Sequence, residues 1–151
     1  MEILKGNFLV NANEETVIAN EIIRSSEMIG LYFSASWCPP CRSLLPLLKA
    51  TYKEARSRGA KLEVVFVPSD SDDQQMMRFF VDNHGPWFAV PVGPLTAAVR
   101  RKMQIHAIPQ LVVVNNRGEV VRRNGRADLE GHEDPLSLWF PRLNRGAAGE
   151  N

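Results

Sequence analysis

Residues 28–58 constrain this chain more than any other stretch. A continuous apolar run, Met28-Ile29-Gly30-Leu31-Tyr32-Phe33, leads into Trp37-Cys38-Pro39-Pro40-Cys41, and a helix-like stretch follows from Arg42 to Arg58. An uninterrupted apolar run of this length is the pattern of a central strand buried on both faces. The chain's only two cysteines therefore fall between the end of a strand and the start of a helix. There the partial positive charge of free backbone N–H groups favours thiolate over thiol. With two residues between them, the pair can also close a disulfide on itself. The chemistry indicated is dithiol–disulfide exchange.

At 151 residues, 44% of them hydrophobic, the chain fits one domain with its own core. That domain is expected over 1–143, with a small polar tail over 144–151 that frays. A formal net charge of +1 predicts no general attraction to polyanions or membranes. Nucleic acid is not an expected partner, because there is no domain-wide basic excess or aromatic interleaving. The N-terminus, Met1-Glu2-Ile3-Leu4-Lys5-Gly6-Asn7, carries charges where a secretory signal needs an apolar core. No run approaches the roughly 20 apolar residues of a membrane span. Two thiols in an untargeted chain suit a reducing compartment, so the expected location is cytoplasmic, with nuclear entry open.

A strand is expected at Asn7–Val10. Glu14–Ser25 allows either a short strand followed by a helical turn or one helix. The helix opened at Pro39 carries Leu44, Leu45, Leu48 and Tyr52 at helical spacing, contains Pro46, which should kink it, and ends at Gly59. Leu62–Val67 is a second strand. Ser71-Asp72-Asp73-Gln74 has a capping-box pattern, opening a helix whose inner face is Met76, Met77, Phe80, Val81 and His84. Trp87–Val92 reads as extended and Pro94 opens a short helix. Leu111–Val114 and Glu119–Arg122 form a hairpin, and Asp134-Pro135 begins a last helix. The order implies an α/β fold of three layers, with a mixed central sheet, helices on both faces and an N-terminal extension. In such sheets sites collect at the carboxyl ends of strands, where the cysteines fall.

Cys38 is expected at the helix N-terminus with its sulfur meeting solvent, and its pKa is expected below the free value of about 8.5. Cys41, one turn inside, is expected to be shielded. Cys38 thiolate attacks a partner disulfide, and Cys41 then displaces the reduced partner. Pro39 and Pro40 offer no N–H and fix two φ angles, holding the pair's geometry. Trp37 supplies a flat apolar surface beside the attacking sulfur. A zinc site needs about four ligands, and His84, His106 and His132 are scattered, so no metal is expected. His84 and His132 read as surface or helix-end residues, while His106 suits either a solvated loop or the neighbourhood of the thiols. Asp70 to Asp73 read as a helix cap with its acidic flank. Arg117, Arg122, Arg123 and Arg126 cluster about the hairpin and could form a basic rim. Ile108-Pro109 precedes the hairpin strand, and propensity alone does not select a cis bond there, because only about 5–6% of X–Pro bonds are cis.

These residues resemble the thioredoxin superfamily and, within it, the tryparedoxin–nucleoredoxin group. The matching stretches are Leu31 to Arg42, Pro46, Glu63-Val64-Val65-Phe66-Val67, Pro86-Trp87-Phe88-Ala89-Val90-Pro91 and Ile108-Pro109. The resemblance implies a thioredoxin fold, Cys38 as nucleophile, Cys41 as resolving thiol, a cis Pro109 facing them and no bound prosthetic group beyond the redox-active disulfide. Tyr32 stands where ordinary thioredoxins carry a buried Asp and tryparedoxins resemble this chain. Arg126 matches the family arginine that binds a glutathione carboxylate. His106 replaces the Glu that meets the amine of trypanothione, which argues against trypanothione as donor. The implied activity is reduction of protein disulfides, peroxiredoxin-like ones among them, by a monomer fed from a small dithiol or glutathione-type reductant. The implied substrate-binding residues are Trp37, Pro39, Pro40, Ile108, Pro109 and Arg126. A nucleoredoxin-like binding protein, its cysteines a redox switch for a signalling or client partner, is the other reading.

Overall fold

The structure is a computed structural model that describes residues 1–143; the expected tail 144–151 lies outside the described residues. Its elements are β1 (Phe8–Val10), β2 (Thr16–Ile18), α1 (Ala19–Ser25), β3 (Met28–Ser34), α2 (Pro39–Ser57), β4 (Leu62–Pro68) and α3 (Asp73–Asn83). They continue with β5 (Phe88–Ala89), α4 (Pro94–Lys102), β6 (Gln110–Asn115), β7 (Val120–Arg122), α5 (Gly125–Gly131) and α6 (Pro135–Trp139). All described strands join one sheet in the order β2-β1-β5-β4-β3-β6-β7. The β3–β4 and β4–β5 pairs are parallel and the remaining pairs antiparallel. The sheet is mixed, with helices on both faces, as expected.

The apolar runs work because each central strand feeds two cores. On β3, Ile29, Leu31 and Phe33 face one side and Tyr32 the other; on β4 the split is Val65 and Val67 against Val64 and Phe66. On β6, Val112 and Val114 oppose Leu111 and Val113. One core is closed by α2, α3, α5 and α6, the other by α1, α4 and the N-terminal Leu4 and Leu9. A strand with water on one face would have alternated apolar and polar residues instead.

Helix α2 runs unbroken through Pro46 and stops at Gly59, whose φ of 72° suits a residue without a Cβ. Gly59 N–H donates to Arg56 O and Ala60 N–H to Ala55 O, the paired bonds of a Schellman ending. The ambiguous segment 14–25 resolves into β2 followed by α1. Two expectations are corrected. Asp72, not Ser71, caps α3, its carboxylate accepting from Gln74 N at 2.8 Å and Gln75 N at 3.3 Å; an ionised acceptor makes the stronger cap. The buried face is then Met76, Phe79 and Phe80, while Val81 faces water.

Helix α5 has no counterpart in the sequence expectations. Asn124 caps it by accepting from Ala127 N at 3.2 Å. Gly125 begins it because a Cβ there would lie 2.8 Å from Leu111 O. Buried Asp128 then ties three elements together. It receives Arg122 of β7 through Nε at 3.0 Å and Nη2 at 2.8 Å, and Trp139 Nε1 of α6 at 3.0 Å. Those contacts fix α5, the helix that carries Arg126 two residues before Asp128. No helix among the described residues is long and apolar enough to cross a membrane.

Candidate active site

Strand β3 ends at Ser34, the loop 35–37 follows, and Cys38 is the N-cap of α2. Its Sγ accepts from Cys41 N at 3.3 Å, so the sulfur itself occupies a capping position. Pro39 and Pro40 open the helix at no cost in hydrogen bonds, since first-turn N–H groups have no helical partner. Cys38 and Cys41 form a disulfide with Cα atoms 5.3 Å apart. Cys41 is fully buried, as expected. Cys38 is the more open of the two but is largely covered, the residue only 6% exposed and packed with Ala35 and Ile108. Exposure belongs to its neighbours, Trp37 at 63% and both prolines.

The Ile108–Pro109 bond is cis, as the resemblance implied and propensity did not. Pro109 is buried and Ile108 packs against the cysteine pair. The loop before Cys38 is gripped from two sides. The Asp70 carboxylate accepts from Ser36 N at 3.1 Å and from Ser36 Oγ at 2.5 Å, and Arg42 Nε donates to Ser36 O at 3.0 Å. Asp70 is therefore a buried clamp, not part of the α3 cap. The signal lay in the sheet: Ser34 and Pro68 are register partners, so Ser36 and Asp70 each follow two residues later.

Below the pair, Tyr32 OH donates to Cys41 O at 2.5 Å, and burial pushes its phenol up to about 12. His84 was expected on the inner face of α3 and, as an imidazole, at the surface or a helix end; the inner-face placement holds. It does follow α3, but inside the core, ringed by Phe66, Phe79, Phe80 and Tyr32. Trp87 Nε1 donates to its Nδ1 at 3.0 Å, and burial, helped by the charge of Lys49, pushes its pKa down to about 3.

Beside Pro109 a cavity of about 490 Å³ is lined by Ile108, Gln110, Arg123, Asn124, Arg126 and Glu130, among others. Arg126 pairs with Glu130 at 3.3 Å and Arg123 donates to Gln104 O at 3.0 Å. The other two rim arginines are engaged elsewhere, Arg122 with Asp128 and Arg117 with Glu119. Of the expected basic rim, Arg123 and Arg126 therefore meet the site. His106 is exposed and outside that lining, and His132 is exposed. Among the described residues no group of three His, Cys, Asp or Glu could hold a metal ion.

A model of the thioredoxin-like family matches residues 26–120. Nucleoredoxin of Danio rerio is 34% identical over 144 residues, covering 93% of this chain and 33% of its own length. Alignments with curated nucleoredoxins span about a fifth to a third of those proteins' lengths. Among solved structures, thioredoxin from Wuchereria bancrofti superposes with a TM-score of 0.79 at 33% identity, covering 92% of this chain and 97% of that one. A tryparedoxin II complexed with glutathionylspermidine superposes with a TM-score of 0.75 at 26% identity, covering 89% and 90%.

Proposed function

The chain belongs to the thioredoxin-like family, and from that premise we propose that it is a disulfide reductase acting on protein substrates through Cys38 and Cys41. The capped Cys38 sulfur within bonding reach of a buried partner thiol carries this reading. In the reduced protein the Cys41 N–H and the α2 N-terminus favour thiolate at Cys38. Cys38 Sγ attacks one sulfur of a partner disulfide; that S–S bond breaks, a mixed disulfide forms, and the leaving thiolate takes a proton. Cys41, giving up its own proton, attacks Cys38 Sγ, forms the Cys38–Cys41 disulfide and releases the second partner thiol. Two electrons pass to the partner.

A low-molecular-weight dithiol or glutathione-type thiol restores the pair. The cavity beside Pro109 suits such a molecule, with Arg126 as carboxylate partner, and the tryparedoxin II complex supports that class of ligand. Trp37, Pro39 and Pro40, exposed around the largely buried Cys38, form the face against which a partner protein rests, with Ile108 at its edge. We assign the activity to one monomeric domain, residues 1–143, in the cytoplasm or nucleus, with peroxiredoxin-like disulfides among its substrates.

That same exposed apolar face favours a second reading, a redox-switched module that holds a client. Insulin reduction by dithiothreitol separates the two. Catalysis above the dithiothreitol rate, abolished by Cys38→Ser, supports the reductase; wild-type protein no faster than dithiothreitol alone supports the holding module.

A further inference from the structure

A second cavity, of about 360 Å³, lies between the α2 N-terminus and α3. Arg42, Arg78, Phe79 and Asp82 line it, with Ser36 at its edge. Arg42 is held in place at two points. Its Nε donates to Ser36 O at 3.0 Å, and its guanidinium carbon sits 4.8 Å over the Phe79 ring. Ser36 is itself fixed by buried Asp70. Both terminal amino groups of Arg42 are thereby left for a ligand, in a side chain already ordered before anything binds. Arg78 has no ion pair among the described residues. Lys49 is not in the lining, but it donates to the carbonyl of Asn83, which is. Asp82 is the one carboxylate in the lining, so the cavity keeps a positive balance.

The geometry points to an anion subsite at Arg42 and Arg78 that takes an acidic side chain of the protein disulfide partner, close in sequence to the cysteine that Cys38 attacks. This rests on the reductase reading above and names its substrate preference. Arg42 stands one helical turn beyond Cys38, where Cβ atoms lie roughly 5–6 Å apart. An extended partner chain advances about 3.3 Å per residue. A carboxylate two or three residues from the attacked cysteine therefore reaches the guanidinium fork. The site is separate from the Arg126 cavity, because the two linings share no residue: one is built from Ser36, Arg42 and α3, the other from residues 107–110 and 123–130.

The test compares two disulfide-linked peptides differing only in Glu or Gln three residues from the cysteine. The ratio of kcat/KM, Glu over Gln, is expected at about fivefold for wild type in low salt, decaying as salt screens the pair. It should fall to about one in Arg78→Ala, invert in Arg78→Glu, shrink in Arg42→Lys, and persist in Lys53→Ala on the outer face of α2. A wild-type ratio of one with both peptides reduced overturns the subsite and leaves the reductase standing. Neither peptide reduced overturns the reductase reading itself. A preference removed by Arg126→Ala but not by Arg78→Ala moves the anion to the other cavity. Arg78 variants that change only the KM for glutathione disulfide make the carboxylate glutathione's; either result refutes the proposal.

Discussion

The Tyr32 hydroxyl, on β3, donates a 2.5 Å hydrogen bond to the carbonyl of Cys41, on α2, joining the central strand to the helix that carries the cysteine pair. A carboxylate at this depth would need a charge partner; a phenol meets the same helix without one. Tyr32→Phe should cost about 1 kcal/mol in urea unfolding. The chain's other tyrosine, Tyr52, is also pushed up to about 12, chiefly by burial. Both folded-state values lie above the ordinary value of about 10. The folded protein should therefore show no tyrosinate absorbance near 295 nm until well above pH 10. Stability should fall above pH 10, where only the unfolded chain releases those protons.

His84 imposes the opposite limit. Its folded pKa of about 3 lies below the unfolded value near 6.5, so between those values the unfolded chain holds a proton that the folded chain lacks. Its contribution is complete above pH 6.5 and is lost as pH falls towards 3, by about 1.4 kcal/mol per pH unit. Urea midpoints measured from pH 7 to pH 4 should decline with that slope, and His84→Gln should flatten it. An unchanged slope in the variant would assign the acid sensitivity elsewhere.

Asp70 should matter more to Trp37 than to the fold. Asp70→Ala leaves the Ser36 N–H and hydroxyl without their acceptor and should cost about 1–3 kcal/mol. Trp87 and Trp139 are wholly buried, whereas Trp37 is exposed and depends on the clamped loop. Indole 15N relaxation in the variant should show faster motion at Trp37 with the other two indoles unchanged. Motion increased equally at all three would mean a general loosening.

What was legible in the sequence follows from which forces are local. The run Met28–Phe33 announces a strand buried on both faces because both faces demand apolar residues, and Leu62–Val67 reads as a second strand; both form. The thiol pair at a strand–helix junction was legible because helix N-termini and proline obey short-range rules. Helix α5 was not, since Gly125-Arg126-Ala127-Asp128 has a weak apolar stripe and is held by the long-range Arg122–Asp128–Trp139 contacts. Asp70 was misread for a related reason: beside two more aspartates it looked like a cap, and only the β3–β4 register brings it to Ser36. His84 is legible as the last inner-face position of α3, but its burial as a neutral imidazole is not, because the Phe66 ring that packs on it comes from β4.

The difference in burial between the two cysteines bears on how they divide their work. Cys38, at 6% exposure, is the only one with any opening to water, because Cys41 is sealed beneath it. Iodoacetamide added to the reduced protein should therefore label Cys38 first, with Cys41 following only when the fold opens. Cys41→Ser keeps the capping N–H on Cys38 Sγ and removes the thiol that would displace a captured partner. Incubation with a disulfide-linked peptide should accumulate a covalent adduct on Cys38, visible as an intact mass increase reversed by dithiothreitol. Cys38→Ser should give none, because the remaining sulfur has no path to the peptide. Adducts forming equally on both single variants would contradict that division of roles.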